Sequence, residues 1–243
     1  MKVYVVGLGP GGAEQITPKA LRVLKECDVI AGYTVYIDLI KDIFPEKKFL
    51  STPMKKEAER CRLAIDRALE GFTVAMVSSG DAGVYGMAGI MLEMAQAHPE
   101  IVIEVIPGIT AACSGGAVLG APLTHDFAVI SLSDLLTPWE KIERRLAAAA
   151  QADFVICLYN PSSKKRSDYL MKACEIIMRY QKADLPAGIV KNIGRHGEEY
   201  HVMTLAELKK QKVDMFTTVF IGNSQTKIIN NKMVTPRGYT NYE

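Results

Sequence analysis

The sequence predicts an α/β protein with mainly parallel sheets. Eight short apolar runs are rich in Val and Ile, longer amphipathic segments separate them, and glycines cluster after three of the runs. Continuous apolar runs are typical of strands covered on both faces, and strands that alternate with helices usually pair in parallel. The 243 residues can form two domains, which we predict at 1–120 and 121–243, with the boundary in the turn-rich segment Leu119–Phe127.

The elements follow from these patterns in chain order. The predicted strands are Val3–Val6, Val29–Ala31, Thr73–Val77, Ile101–Ile106, Phe127–Ser131, Phe154–Leu158, Gly188–Val190 and Thr217–Ile221. Apolar residues recur at helical spacing in 54–69, 139–149 and 170–177, which predicts helices that cover a sheet. Thr17 and Pro18 predict the cap and first residue of a helix that begins well after the first glycines.

Composition excludes several classes of function. The net charge is +2 and the chain has one Trp, so we expect no nucleic-acid partner. No apolar stretch is long enough to span a bilayer, and MKVYVVGLG resembles a strand rather than a signal peptide, so we expect no membrane association. Five scattered cysteines without a C-x-x-C pair predict reduced thiols in the cytoplasm and no metal site.

The first glycine loop follows the first strand in VYVVGLGPGG. Gly7, Gly9 and Gly12 have the spacing G-x-G-x-x-G of dinucleotide-binding folds. Pro10 replaces a flexible position of that turn, and the second strand ends at 31–33 without a carboxylate for a ribose. The fingerprint is therefore weak evidence for a nicotinamide or flavin enzyme.

Two further loops carry similar residues, SSGDAGVYGMAG at 78–89 and PGITAA at 107–112. Small residues at the carboxyl ends of successive strands are typical of ligand sites in α/β sheets. Asp81 in the second loop is able to pair with a cationic ligand or to cap a following helix, and both alternatives stay open.

The order VGLGPGG with TPKAL, SSGDAGVYGMAG, PGITAA resembles the tetrapyrrole methylases, S-adenosylmethionine-dependent enzymes of corrin and sirohaem synthesis. GYTVYIDLI, LGAPLTHDFAVISLSDLLTPW, LYNPSSKKR and MVTPRGY are similar to the branch that methylates carbon 17 of precorrin-3 or its cobalt form, with ring contraction to precorrin-4, in cobalamin synthesis. The resemblance spans essentially the whole chain. It implies a homodimer of two-domain subunits, with the cofactor in a cleft between the domains. A sister methylase acting at another ring carbon, a cofactor-sensing module and a nicotinamide-dependent oxidoreductase are the alternatives.

The resemblance also implies which residues contact S-adenosylmethionine. The loop positions are Pro10, Gly80, Asp81, Val84, Tyr85, Thr110 and Ala111, and the second domain adds Tyr159, Asn160 and Ile189.

The implied chemistry requires proton transfer and recognition of a substrate with many carboxylates. The candidate catalytic residues are His125, Asp126 and Ser131, since His titrates near neutral pH. Ser133 and Asp134 are candidate substrate contacts that could instead cap the following turn. The cations expected to meet substrate carboxylates are Lys164, Lys165, Arg166 and Lys191, of which the first three are predicted to stand at a helix start. A solvated charge run is the alternative for them.

Overall fold

The structure, a computed structural model, describes residues 1–163 and 166–239. Contacts divide the chain into two compact units, Met1–Ala111 and a second unit from Ala112 onward. The predicted boundary lies nine residues later, at 120/121. The difference arises because the helix after the third glycine loop packs within the second unit, where a Cβ on Gly115 would lie 2.9 Å from the Ile193 and Phe220 side chains.

The first unit contains a five-stranded, fully parallel sheet. Its strands are β1 (Lys2–Gly7), β2 (Val29–Tyr33), β3 (Lys48–Thr52), β4 (Thr73–Ser78) and β5 (Val102–Ile106), in the order β3-β2-β4-β1-β5. Strand β1 therefore lies between β4 and β5. The loops that follow these three strands are neighbours at one edge of the sheet.

Helices cover both faces of this sheet, as the continuous apolar strands require. They are α1 (Pro18–Glu26), α2 (Thr34–Asp38), α3 (Glu57–Leu69) and α4 (Ala88–Ala95), with a short 3₁₀ turn at Ala13–Gln15. The predicted cap of α1 is confirmed, because the Ala20 N–H donates to Thr17 Oγ1 at 3.2 Å. Helix α3 begins three residues later than the predicted Met54, since Lys55 has a positive φ of 67° that no helical residue adopts.

The second unit contains a mixed five-stranded sheet. Its strands are β7 (Phe127–Ser131), β8 (Val155–Tyr159), β9 (Pro186–Lys191), β10 (Glu199–Thr204) and β11 (Thr217–Ile221), in the order β10-β9-β11-β8-β7. Only β7 and β8 are parallel neighbours; β11 runs antiparallel to both β8 and β9. Strands β7, β8 and β9 therefore share a direction and end at the same edge.

The expectation of mainly parallel pairing does not hold in this second sheet, although the α/β class is confirmed for both units. Only residues 192–198 connect β9 to its antiparallel neighbour β10, and a parallel return requires a dozen or more residues. The helices are α5 (Ala111–Leu119), α6 (Trp139–Gln151), α7 (Tyr169–Ile177) and α8 (Leu205–Leu208), and the short strands β6 (Gly120–Ala121), β12 (Lys227–Ile229) and β13 (Lys232–Val234) form a third sheet.

Membrane-spanning helices and metal-binding clusters are both absent from the described ranges. None of the helices there is both long and apolar enough to cross a membrane. The same residues contain no group of three or more His, Cys, Asp and Glu side chains arranged to hold a metal ion.

Candidate functional site

Three glycine loops of the first unit meet at the carboxyl edge of its sheet. We call them the first loop (8–17), the second loop (79–87) and the third loop (107–110). Gly9 and Gly80 exchange two backbone hydrogen bonds, with N···O distances of 3.0 and 2.7 Å, and the Leu8 N–H donates to the Ser78 carbonyl at 2.9 Å. The first two loops are therefore joined as a short antiparallel bridge.

Glycine is required where the loops touch. A Cβ on Gly7 would lie 2.6 Å from the Gly108 backbone nitrogen and 2.7 Å from the Gly80 carbonyl oxygen. A Cβ on Gly108 would lie 2.6 Å from the Gly7 carbonyl carbon and still closer to the Gly80 carbonyl oxygen. Because ordinary carbon contacts begin near 3.4 Å, any larger residue at Gly7 or Gly108 would push the loops apart.

Asp81 ties the second loop to the third. Its Oδ1 accepts a hydrogen bond from the Gly83 N–H at 2.7 Å, and its Oδ2 accepts one from the Gly108 N–H at 2.9 Å. Helix α4 begins at Ala88 with Met87 as its N-cap, so the predicted capping role of Asp81 is wrong. The carboxylate instead fixes the distance between two loops, and a contact with a cationic ligand stays a prediction.

The remaining residues of the three loops differ in their exposure to solvent. Pro10 and Gly80 are buried, while Val84, Thr110 and Ala111 are half-buried. Tyr85 is 57% exposed and has a φ of +53°, and Ile109 is 40% exposed. A bulky residue with positive φ is strained, and such strain is concentrated at functional sites. The second and third loops thus each present one large exposed side chain, Tyr85 and Ile109, beside residues that are buried or half-buried.

Two of the predicted cofactor contacts, Tyr159 and Ile189, contact other residues of the second unit. The Tyr159 hydroxyl, at the end of β8, accepts a hydrogen bond from the Ala112 N–H at 2.7 Å. It thereby satisfies one of the N–H groups at the start of α5 that have no partner within the helix. Ile189 is buried and lines a cleft of about 150 Å³ together with Lys191 and Glu199.

The third, Asn160, belongs to a polar cluster at the ends of β7 and β8. Its backbone has a φ of +51°, and its Nδ2 donates to Ser131 Oγ at 3.0 Å. The Ser133 N–H donates to the same oxygen at 3.2 Å. A residue predicted to be catalytic, one predicted to bind substrate and one predicted to bind cofactor are therefore in contact.

Asp134 extends this cluster. Its Oδ2 accepts a hydrogen bond from the Tyr169 hydroxyl at 2.7 Å, and this bond raises the pKa of Tyr169. Its Oδ1 lies 3.6 Å from Arg166 Nη1, while Arg166 Nε donates to Ser163 Oγ at 3.0 Å. The Arg166 side chain is only 13% exposed, and in the described part of the chain its Nη1 has no hydrogen-bond partner.

The described cationic side chains lie in surroundings that differ from those predicted. Helix α7 begins at Tyr169 with Asp168 as N-cap, so Arg166 precedes the helix and does not stand at its start. Lys191 lies 3.4 Å from Asp214 and 3.7 Å from Glu199, so two carboxylates already balance its charge. Lys164 and Lys165 lie outside the described residues.

His125 and Asp126 lie at the opposite end of β7 from Ser131. Both are exposed, and the His125 Nδ1 accepts a hydrogen bond from the Asp126 N–H at 2.9 Å. Six residues of extended chain span about 20 Å. The three residues predicted to be catalytic therefore do not form one group, although each stays a prediction on its own.

Sequence reasoning missed Tyr169 and Ser163, which hold Asp134 and Arg166. Both follow LYNP within the same run of mostly polar residues. Their role depends on the return of the chain from β8 toward β7. That return is a tertiary feature.

Comparisons with known proteins agree with this geometry. The model of the Tetrapyrrole (Corrin/Porphyrin) Methylases matches residues 2–209. A probable cobalt-factor III C(17)-methyltransferase of Salmonella typhimurium is 44% identical over 97% of this chain and 98% of its own. A precorrin-3B C(17)-methyltransferase of Sinorhizobium sp is 39% identical, covering 98% and 96%. The crystal structure of the methyltransferase CobJ superposes with a TM-score of 0.89 at 36% identity, covering 96% and 99%. As its motifs predict, the chain belongs to the tetrapyrrole (corrin/porphyrin) methylases.

Proposed function

We propose that this protein is the S-adenosylmethionine-dependent methyltransferase that methylates carbon 17 of a tetrapyrrole in cobalamin biosynthesis, with ring contraction to the precorrin-4 level. The observation that carries the proposal is identity to C(17)-methyltransferases along almost the full length of both chains. The relative with the higher identity is named for cobalt-factor III, so we propose that the substrate carries cobalt.

The three glycine loops fit the cofactor. A Cβ on Gly80 would find no atom closer than 3.8 Å, so the loops leave space beside their contact point. Exposed Tyr85 and Ile109 offer apolar surface for an adenosine, and Asp81 lies beside them with a negative charge that suits a cationic methionine group. When bound, S-adenosylmethionine supplies a methyl group activated by a sulfonium.

The chain's own contribution is positioning. The loops are joined by backbone hydrogen bonds and by the two hydrogen bonds of Asp81, so they are held rigid before any ligand arrives. Holding two reactants in line accounts for a large part of the barrier reduction in a transfer reaction. Contacts of Tyr159, Asn160 and Ile189 with the cofactor stay predictions.

The polar cluster of the second unit is the proposed substrate region. Ser133 and Arg166 lie at the edge where β7 and β8 end, and substrate carboxylates are the expected partners of the guanidinium. Asp134 orients that guanidinium, since its Oδ1 lies 3.6 Å from Arg166 Nη1. The roles of His125 and Asp126 in proton transfer stay predictions that His125→Gln and Asp126→Asn would test.

The nicotinamide alternative has no support in the second strand. β2 ends at Tyr33 and is followed directly by Thr34 of α2, so no carboxylate stands where a ribose would require one. A sister methylase that acts at another carbon and a cofactor-sensing module without turnover are the remaining alternatives.

One experiment tests the proposal. The protein is incubated with methyl-labelled S-adenosylmethionine and the trimethylated precursor, with and without cobalt, and the product is analysed by mass and by the labelled carbon. Label at carbon 17 in a ring-contracted product, faster with cobalt, is the expected result. Label at another carbon would establish a sister methylase, and binding of NAD without S-adenosylmethionine would overturn the methylase function altogether.

The family resemblance also implies a homodimer in the cytoplasm, and both stay predictions. Sedimentation velocity of the purified chain tests the first, and the expected mass is twice 26.7 kDa.

A further inference from the structure

Two neighbouring leucines project from the segment that joins β7 to α6. Leu135 is 60% exposed and Leu136 is 98% exposed, the highest value for a large apolar side chain among the described residues. Single exposed apolar residues are common and require no explanation. An adjacent pair beside a polar cluster is different, because contiguous apolar surface usually marks a contact.

The segment is anchored on both sides of the leucines. Before them, Asp134 accepts the hydrogen bond of the Tyr169 hydroxyl at 2.7 Å. After them, the Trp139 ring packs on the Tyr169 ring with a centroid distance of 4.4 Å. Tyr169 thus holds both ends of a four-residue connection, 135–138. The leucines therefore lie on a segment that is held at both ends, and they are not at the tip of a free loop.

The residues around Leu135 and Leu136 indicate which kind of molecule would bind against them. Leu135 follows Asp134 directly, so it lies within one Cα step, about 3.8 Å, of the residue that contacts Arg166. Ser133 and the half-buried Asn160 lie at the same strand edge. A partner that suits this surface has a broad apolar face and anionic groups at its rim, which is the shape of a tetrapyrrole carrying acid side chains.

We propose that Leu135 and Leu136 form an apolar platform that packs against the flat face of the tetrapyrrole, while the carboxylates at the macrocycle's rim reach the Arg166 side of the cluster. The inference rests on the proposed function and adds to it the residues that select a macrocyclic substrate. Since the platform contacts substrate alone, its loss weakens substrate binding and leaves cofactor binding unchanged.

The test compares Leu135→Ala, Leu136→Ala and the double variant with Leu92→Ala, an exposed leucine (48%) on α4 of the first unit. Trp139 is the only tryptophan in the chain, so quenching of its fluorescence by the trimethylated precursor gives a dissociation constant directly. Removing the leucine branch should weaken binding about 10-fold for Leu136→Ala and more for the double variant, because the lost apolar contact scales with buried area. Leu92→Ala should bind as the wild type does.

The outcomes separate the two proposals. Unchanged precursor binding and an unchanged KM in the double variant, with an active wild type, would overturn the platform and leave the methylase function standing. An inactive wild type that binds no precursor would overturn the proposed function itself. If the double variant instead changed the sedimenting mass, the leucines would belong to an interface between copies, and the platform would also be wrong. Equal thermal midpoints and equal affinity for S-adenosylhomocysteine across the set are expected, because both side chains are exposed.

Discussion

Replacing Gly108 by alanine should separate the three glycine loops. The new Cβ would lie 2.6 Å from the Gly7 carbonyl carbon and 2.7 Å from its oxygen, and it would also meet the Gly80 carbonyl. All of these are backbone atoms, so no side chain is able to rotate away. Reaching an ordinary contact near 3.4 Å requires a shift of about 1 Å. Overpacking of this kind costs about 1–3 kcal/mol of folding stability.

The effect on the proposed cofactor site should exceed the effect on folding. A misplacement of about 1 Å is able to reduce the rate of a positioned reaction by about 100-fold. We therefore expect Gly108→Ala to weaken S-adenosylhomocysteine binding at least about 10-fold, measured by calorimetry, and to lower kcat further. Urea titration measures the free energy of unfolding of the same sample.

Gly89→Ala is the matched control. Gly89 lies in the first turn of α4, and a Cβ there would find nothing within 4 Å. Alanine favours a helix over glycine by about 1 kcal/mol, so this variant should be as stable as the wild type or more stable, with unchanged affinity. Wild-type affinity in Gly108→Ala would refute the role of the loop contact. Equal losses in both variants would show that the loss does not come from that contact.

Changes elsewhere test the other anchors. In Asp81→Asn the amide N–H₂ group faces either the Gly83 or the Gly108 N–H, so one of these two donors loses its acceptor. We expect S-adenosylhomocysteine binding to weaken about 10-fold in calorimetry. Wild-type affinity would contradict the anchoring role. Tyr159→Phe leaves the Ala112 N–H without its acceptor and should cost about 1 kcal/mol in urea unfolding, whereas no change would show that this bond is dispensable. Iodoacetamide should label Cys113 alone in the folded protein, because the other four thiols are buried and burial raises their pKa; rapid labelling of a second thiol, counted by mass spectrometry, would contradict the described core.

Local patterns predict the central strands of the two five-stranded sheets well and miss two of their four edge strands. The run at Thr73–Val77 is continuously apolar because β4 is covered on both faces, and the strand is found there. Strand β3 (Lys48–Thr52) and strand β10 (Glu199–Thr204) were not predicted. Both lie at sheet edges and carry exposed polar residues, so neither shows the apolar run used to find the others.

The site was predictable as a set of loops but not as a set of contacts. Each glycine loop follows a recognisable strand, so its position at the sheet edge comes from local sequence. The bond from the Gly108 N–H to Asp81 joins residues 27 apart, and its existence depends on β1 lying between β4 and β5. The pairing of Arg166 with Asp134 likewise depends on β7 and β8 being neighbours. Sheet order is a tertiary property that periodicity does not encode.

The glycines of the opening motif have a different physical cause from those of a dinucleotide fold. Gly7 is required by the third loop, and Gly9, with a φ of +76°, is required by the bridge to Gly80. The three atoms nearest to a Cβ on Gly12 all belong to the flexible carboxylate of Glu14, which is able to move away. Two glycines of the fingerprint thus serve contacts between loops, and the third is not needed for them. The spacing G-x-G-x-x-G therefore indicates a sharp turn after a strand. Which ligand binds there depends on the neighbouring loops that contact this turn.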